Sequence, residues 1–209
     1  MKIQWLGHAC FKISHEGYSV VIDPYGTREL IGYPELHVKA DAVLCSHNHE
    51  GHNNVAAVEI EDPSKPCPYT VSVIDAFHDT RFGHLRGENK IHILEWGEYK
   101  IVHMGDLGSI LTSDEKLELY GADVLMIAAG GFRAMPSDKT KPLADSLFAN
   151  VVIPMHYAHD GIGNRRLERV EAFTRQYMPS PNVKFYDTDT IEIDKSTPEQ
   201  VAVLKFTKR

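Results

Sequence analysis

Three histidines, His47, His49 and His52, fall within six residues in the stretch SHNHEGH. A neutral imidazole offers a divalent cation one lone pair, and Zn²⁺ is satisfied by about four such donors at close range. The stretch directly follows the apolar run DAVLCS, residues 41–46. His47 and His49 would converge only if the loop curls, and glycine at 51 permits the curl that turns His52 back toward them. A solvated polar loop is the plainer reading of the same residues. Further donors recur where other apolar runs end: His78 after TVSVID, His103 and Asp106 around the end of YKIVHM, and His156 after NVVIP. Open sheets place their sites at C-terminal strand ends. Such ends could deliver six histidines and an aspartate to one cleft. His103, inside its run, reads as a core residue or as one behind the ligands.

The elements that must position these residues follow from periodicity. KIQWL (2–6), CFKIS (10–14) and YSVVID (18–23) read as successive antiparallel strands. DAVLCS reads as a strand buried on both faces. TVSVID (70–75), KIHILEW (90–96), YKIVHM (99–104), ADVLMIAAG (122–130) and NVVIPM (150–155) continue the pattern, and VKFYD, TIEID and VAVLKF close it. Helices are predicted over 112–121, where Thr112 and Glu115 have capping-box spacing, and over 141–148, with Pro142 in the first turn. A third is predicted over 164–178, where Leu167, Val170, Phe173, Thr174 and Tyr177 share a face. No linker or low-complexity run interrupts residues 1–209, so one mixed, sheet-rich domain is expected.

Composition narrows the function classes. The chain is 43% hydrophobic and 24% charged, as expected of an ordered core. A net charge of −7 argues against nucleic-acid binding, which needs a basic footprint. Gln4, His8 and Lys12 break the N-terminal run, so it is no signal peptide, and no apolar run spans a bilayer. Cys10, Cys45 and Cys67 lack CxxC spacing and read as reduced thiols of a cytoplasmic protein. The expected partner is a small-molecule substrate, with neither nucleic acid nor membrane; oligomeric state is not legible.

In order, LGHACF, VIDPY, SHNHEGH, FHD, HMGD and IPMHY resemble the metallo-β-lactamase superfamily. The closer resemblance is to its uncharacterised metal-dependent hydrolases, related to ascorbate-6-phosphate lactonase-like proteins. It runs from Met1 to about Tyr157. It implies a four-layer αββα sandwich, two mixed β-sheets flanked by helices. It implies His47, His49 and His78 as ligands of a first metal, Asp106 as a bridge, and His52 and His156 as ligands of a second. Asp23 would lie behind the metal loop and accept an imidazole N–H. His8 and His103 would support the cleft in similar fashion.

One position departs from the pattern. The superfamily motif is His-x-His-x-Asp-His, and Gly51 stands at the aspartate. Glu50 and Asn53 are the neighbours that could stand in. A weakened second position is therefore expected, with one or two ions per chain, zinc first and Mn, Fe or Ni as alternatives. The implied chemistry is hydrolysis of an ester, lactone, amide or phosphodiester. A bound cation lowers the pKa of water from about 16 to about 7, and Asp106 and His52 flank the reacting water. Arg86 and Arg165, on loops after ligand-bearing strands, and Arg133, after the GG at 130–131, suggest an anionic substrate; exposed loop arginines are the alternative. A binding or sensing protein with decayed catalysis is a second reading. A nuclease is a third, disfavoured by acidity and by length too short for an inserted domain.

Overall fold

Alternating apolar residues build the first sheet of the computed structural model, which describes residues 1–28, 30, 32–180 and 182–208. Strand β1 (Lys2–Gly7) buries Ile3 and Trp5 and leaves Lys2 exposed, and β2 (Cys10–His15) buries Phe11 and Ile13. Strand β3 (Tyr18–Ile22) is buried throughout. β1, β2 and β3 are antiparallel neighbours. β5 (Ala42–Leu44) adds to β3 in parallel, and β13 (Thr190–Glu192) adds to β1, giving the order β13-β1-β2-β3-β5. β5 is only half-buried, because it is the edge strand of its sheet, not a strand covered on both faces as its apolar run suggests.

The second sheet holds β7 (Thr70–Phe77), β8 (Glu88–Trp96), β9 (Tyr99–His103), β10 (Val124–Ala128), β11 (Val151–Met155), β12 (Val183–Phe185) and β14 (Gln200–Val203). Their order is β12-β14-β11-β10-β9-β8-β7, antiparallel among β7, β8 and β9 and parallel beyond β9. Both sheets are thus mixed. Trp5, Phe11 and Ile22 of the first sheet pack in one core with Ile91, Ile101, Val124 and Ile153 of the second. Burying each such side chain contributes about 1.5–3 kcal/mol. Of helices α1 (Ser113–Leu119), α2 (Ser137–Leu147) and α3 (Val170–Thr174), α2 contacts both of the others and packs on β10. The outer face of the first sheet is covered by Tyr25, Leu30, Tyr33 and Leu36. Val58 joins them from a short parallel sheet of β4 (Val38–Ala40) and β6 (Val58–Ile60).

Two of the predicted helices differ in extent. α2 begins at Ser137, so Pro142 lies inside it and not in its first turn. The amphipathic stretch forms helix only from Val170, followed by a 3₁₀ turn over Arg175–Tyr177. Upstream of it, Glu168 N–H donates to Gly130 O (2.7 Å) and Ala158 N–H to Glu168 O (2.9 Å), so that backbone is committed elsewhere. α1 starts as its capping box predicts: Thr112 Oγ1 accepts from Glu115 N–H (3.2 Å), and Glu115 Oε2 accepts from Thr112 N–H (2.6 Å).

Candidate metal centre

Five loops meet at one edge of the two sheets. The β1–β2 turn brings His8, the loop after β5 brings His47, His49 and His52, and the ends of β7, β9 and β11 bring His78, Asp106 and His156. One ring nitrogen each from His47, His49 and His78 lies within 4.8 Å of the others, and the same holds for His8, His52 and His156. Asp106 stands between the two groups. Its Oδ2 is 3.2 Å from His78 Nε2, 3.2 Å from His52 Nε2 and 3.1 Å from His156 Nε2.

Asp23 organises this loop from behind. It has no exposed surface, and Oδ1 accepts Ser46 N–H at 2.6 Å. Oδ2 accepts the Ser46 hydroxyl at 2.6 Å and the His52 Nδ1–H at 2.8 Å. The Ser46 proton is thereby spent on Asp23, so the 2.9 Å contact between Ser46 Oγ and His47 Nδ1 is donated by the imidazole. Both His47 and His52 are left with Nε2 toward the cleft. Ser46 was missed by sequence reading, although it directly precedes the first histidine. Asn89 was missed as well: buried on β8, it accepts Asp106 N–H (2.8 Å) and donates to Met104 O (2.9 Å).

His103 does not face the cleft group. Gly105 N–H donates to its Nδ1 (3.2 Å), so Nε2 carries the proton and donates to Ala9 O (2.9 Å). It is a core histidine tying the second sheet to the β1–β2 turn. Glu50 and Asn53 do not stand in at position 51. Glu50 Oε1 accepts Arg28 N–H at 2.8 Å, and Asn53 bonds to Asn48. Gly51 lacks the left-handed φ that its place in the curl suggests; a Cβ there would instead stand 3.0 Å from His8 Nε2.

Electrostatics follow from burial and neighbours. Burial pushes the pKa of His8 and His49 down, and that of His47 down to about 3, leaving lone pairs free at neutral pH. Burial opposes charge on Asp106 as well, but His156 and His52 hold its carboxyl well below the usual range. His52 is opposed by burial yet carried up to about 10 by Asp106 and Asp23, so a cation binding its Nε2 displaces a proton.

A cation fits this arrangement. His47 Nε2, both ring nitrogens of His78, His156 Nδ1 and Asp106 Oδ1 are buried without a hydrogen-bond partner. Each such group costs about 1–3 kcal/mol unless satisfied. The cluster can hold a metal, with imidazole and carboxylate donors of the kind zinc accepts.

Beside the cluster lies a cavity of about 370 Å³, walled further by Arg28, Leu30, Phe132, Arg133, Asn164 and Leu167. Of the three arginines expected at the substrate, only Arg133 lines it. Arg86 donates from Nη2 to Phe132 O (2.9 Å), bracing the loop that carries Arg133, and lines neighbouring cavities. Arg165 is exposed and lies outside the wall. Arg28 was missed, since it precedes the histidine loop in the chain.

Comparison with known proteins points to the same fold and to metal-dependent relatives. A family described as "Beta-lactamase superfamily domain" matches residues 2–156. A UPF0173 metal-dependent hydrolase of Hyperthermus butylicus is 26% identical over 191 residues, covering 74% of this chain and 82% of its own. Another, from Methanosphaera stadtmanae, is 29% identical over 199 residues, covering 75% and 84%. The crystal structure of a candidate Zn-dependent hydrolase of the metallo-β-lactamase superfamily from Thermotoga maritima superposes with a TM-score of 0.73. It shares 27% identity and covers 99% of both chains.

Proposed function

The chain belongs to the β-lactamase superfamily, in its branch of metal-dependent hydrolases, and from that premise we propose that it cleaves an ester, lactone, amide or phosphodiester bond of a small anionic substrate. The observation that carries the substrate class is the charge of the cavity wall. The chain as a whole carries −7, yet the lining residues include Arg28 and Arg133 and one carboxylate, Asp106, with Glu50 approaching Arg28 Nε at 3.9 Å from outside the wall. The volume suits a small molecule. When bound, divalent cations supply hydroxide at neutral pH and polarise an acyl or phosphoryl oxygen. His47, His49 and His78 with Asp106 would hold one cation, and His52 and His156 with the same aspartate would hold the other. Asp106 is the carboxylate we assign to orient the attacking water and take its proton. Asp23 keeps His52 turned for that role. Arg28 and Arg133 anchor the anionic group, and Leu30, Phe132 and Leu167 cover the apolar remainder. The free cysteines suit a reducing compartment, and we place the protein in the cytoplasm. Among the described residues, no helix is long and apolar enough to cross a membrane.

The test is a panel of paired esters, lactones and phosphodiesters, each in an anionic and a neutral form, assayed with zinc-loaded protein. Anionic members should be preferred. Arg28→Ala and Arg133→Ala should each raise KM for them about ten-fold, a loss of about 1.4 kcal/mol, while leaving neutral members unchanged. Equal use of neutral members by the unmodified protein would overturn the anionic reading.

A further inference from the structure

We propose that His8 is a protein ligand of the second metal position, occupying the place that Gly51 leaves without a side chain, so that two histidine triads share Asp106. The inference rests on reading the cluster as a metal centre and goes beyond the residues assigned to it above.

The first observation is steric. A Cβ built on Gly51 would lie 3.0 Å from His8 Nε2 and 3.4 Å from His8 Cδ2. The imidazole of His8 therefore borders the volume that a side chain at residue 51 would enter. Gly51 does not have a left-handed φ, so its backbone does not demand glycine; a side chain there would press on the ring of His8, which would have to give way.

The second observation is the grouping of donors. The His8 ring centroid is 4.2 Å from that of His156 and 5.0 Å from that of His52. One nitrogen from each ring lies within 4.8 Å of the others, the same compactness that His47, His49 and His78 achieve. His8 is 5% exposed, so it is held in the cleft and not displayed at its rim.

The third observation is how the backbone holds His8 there. Its φ is 53°, a left-handed conformation that costs a non-glycine residue about 1–2 kcal/mol. The turn is fixed at the His8 carbonyl, which accepts Trp5 Nε1–H at 3.0 Å and His156 N–H at 3.0 Å. The second of these bonds ties His8 to the main chain of another member of its own triad.

The exchange changes the chemistry of the position. Aspartate at residue 51 would supply an anionic oxygen; His8 supplies a neutral nitrogen. Three imidazoles and one shared carboxylate favour zinc, cobalt or nickel over manganese or magnesium, which prefer oxygen donors. The second position is then filled by a full set of donors and is not intrinsically weak.

The test is metal titration of chelator-stripped protein, followed by calorimetry with Zn²⁺ and by the visible spectrum with Co²⁺. The unmodified protein should take two equivalents tightly, with Mn²⁺ binding far more weakly. His8→Asn is the leading variant, because asparagine tolerates the left-handed φ; His8→Ala is the second, and circular dichroism checks that each folds. Both should keep the first equivalent, weaken the second more than 100-fold and alter the cobalt spectrum. That exceeds the roughly 10–100-fold cost of losing a residue behind a ligand. Gly51→Asp alone should also weaken the second equivalent, by crowding His8. Gly51→Asp combined with His8→Ala should restore it, since the carboxylate then enters the space His8 has left. Two tight equivalents with an unchanged cobalt spectrum in folded His8→Asn would overturn the assignment while leaving the metal centre intact. Binding of neither Zn²⁺ nor Co²⁺ by the unmodified protein would overturn both.

Discussion

Asp23 accepts hydrogen bonds from Ser46 N–H, the Ser46 hydroxyl and His52 Nδ1–H, and it has no access to water. Asparagine at this position has one acceptor oxygen and an amide that can only donate, so at least one of the three donors would face another donor. Losing a buried charged acceptor in this way should cost about 2–3 kcal/mol of stability. The tautomer of His52, and through Ser46 that of His47, would no longer be imposed. Asp23→Asn should therefore weaken metal binding about 10–100-fold, in addition to its effect on stability. Urea unfolding and calorimetric zinc titration measure the two losses separately. An unchanged unfolding midpoint together with unchanged affinities would remove Asp23 from the scaffold of the site.

The candidate ligands also depend on how closely the strand-end loops approach each other. The chain leaves β10 beside β11, with Ala129 N–H donating to Met155 O (2.9 Å). A Cβ on Gly130 would strike the His156 carbonyl and stand 2.8 Å from Tyr157 Cα. These are backbone atoms and cannot rotate away. Gly130→Ala should push the end of β11 outward and destabilise by about 1–3 kcal/mol. It should weaken the cation position that uses His156 more than the one that uses His47, His49 and His78. Thermal melts and two-site titration check this, and an equal loss at both positions would refute it. The strand ends were legible in the sequence because buried strands leave long apolar runs, as in ADVLMIAAG and NVVIPM. The truncation of α3 was not legible. Its periodicity continues through Leu167, and only the pairing of Glu168 with Gly130, remote in sequence, and with Ala158 draws that backbone out of helical form. His8 was visible as a histidine near the cleft, but its proximity to residue 51 depends on the folding of the β1–β2 turn over a loop some forty residues away. No local pattern encodes that approach.

At the scale of the molecule, the cluster draws its donors from both sheets. His8, His47, His49 and His52 leave the first sheet, while His78, Asp106 and His156 leave the second. A cation held among them would close the open edge of the sandwich, and its binding energy would be available only to the folded chain. At a free cation concentration 100 times Kd, each occupied position stabilises the fold by about 2.7 kcal/mol. For a chain of this size, about 1 kcal/mol corresponds to 2–4 °C, so two occupied positions should raise Tm by roughly 10–20 °C. Removing metal with a chelator should lower Tm by that amount, and adding zinc back should restore it. The apolar core is continuous from Trp5 and Phe11 to Ile101 and Ile153, so the two sheets should still unfold in one transition. A drop in Tm without loss of cooperativity would indicate a clamp on an intact core; two separate transitions would mean that the metal, and not the core, joins the sheets. Scanning calorimetry with metal analysis of each sample decides the matter. A protein that loses its metal to the chelator and melts at the same temperature would show that the cluster is not linked to folding.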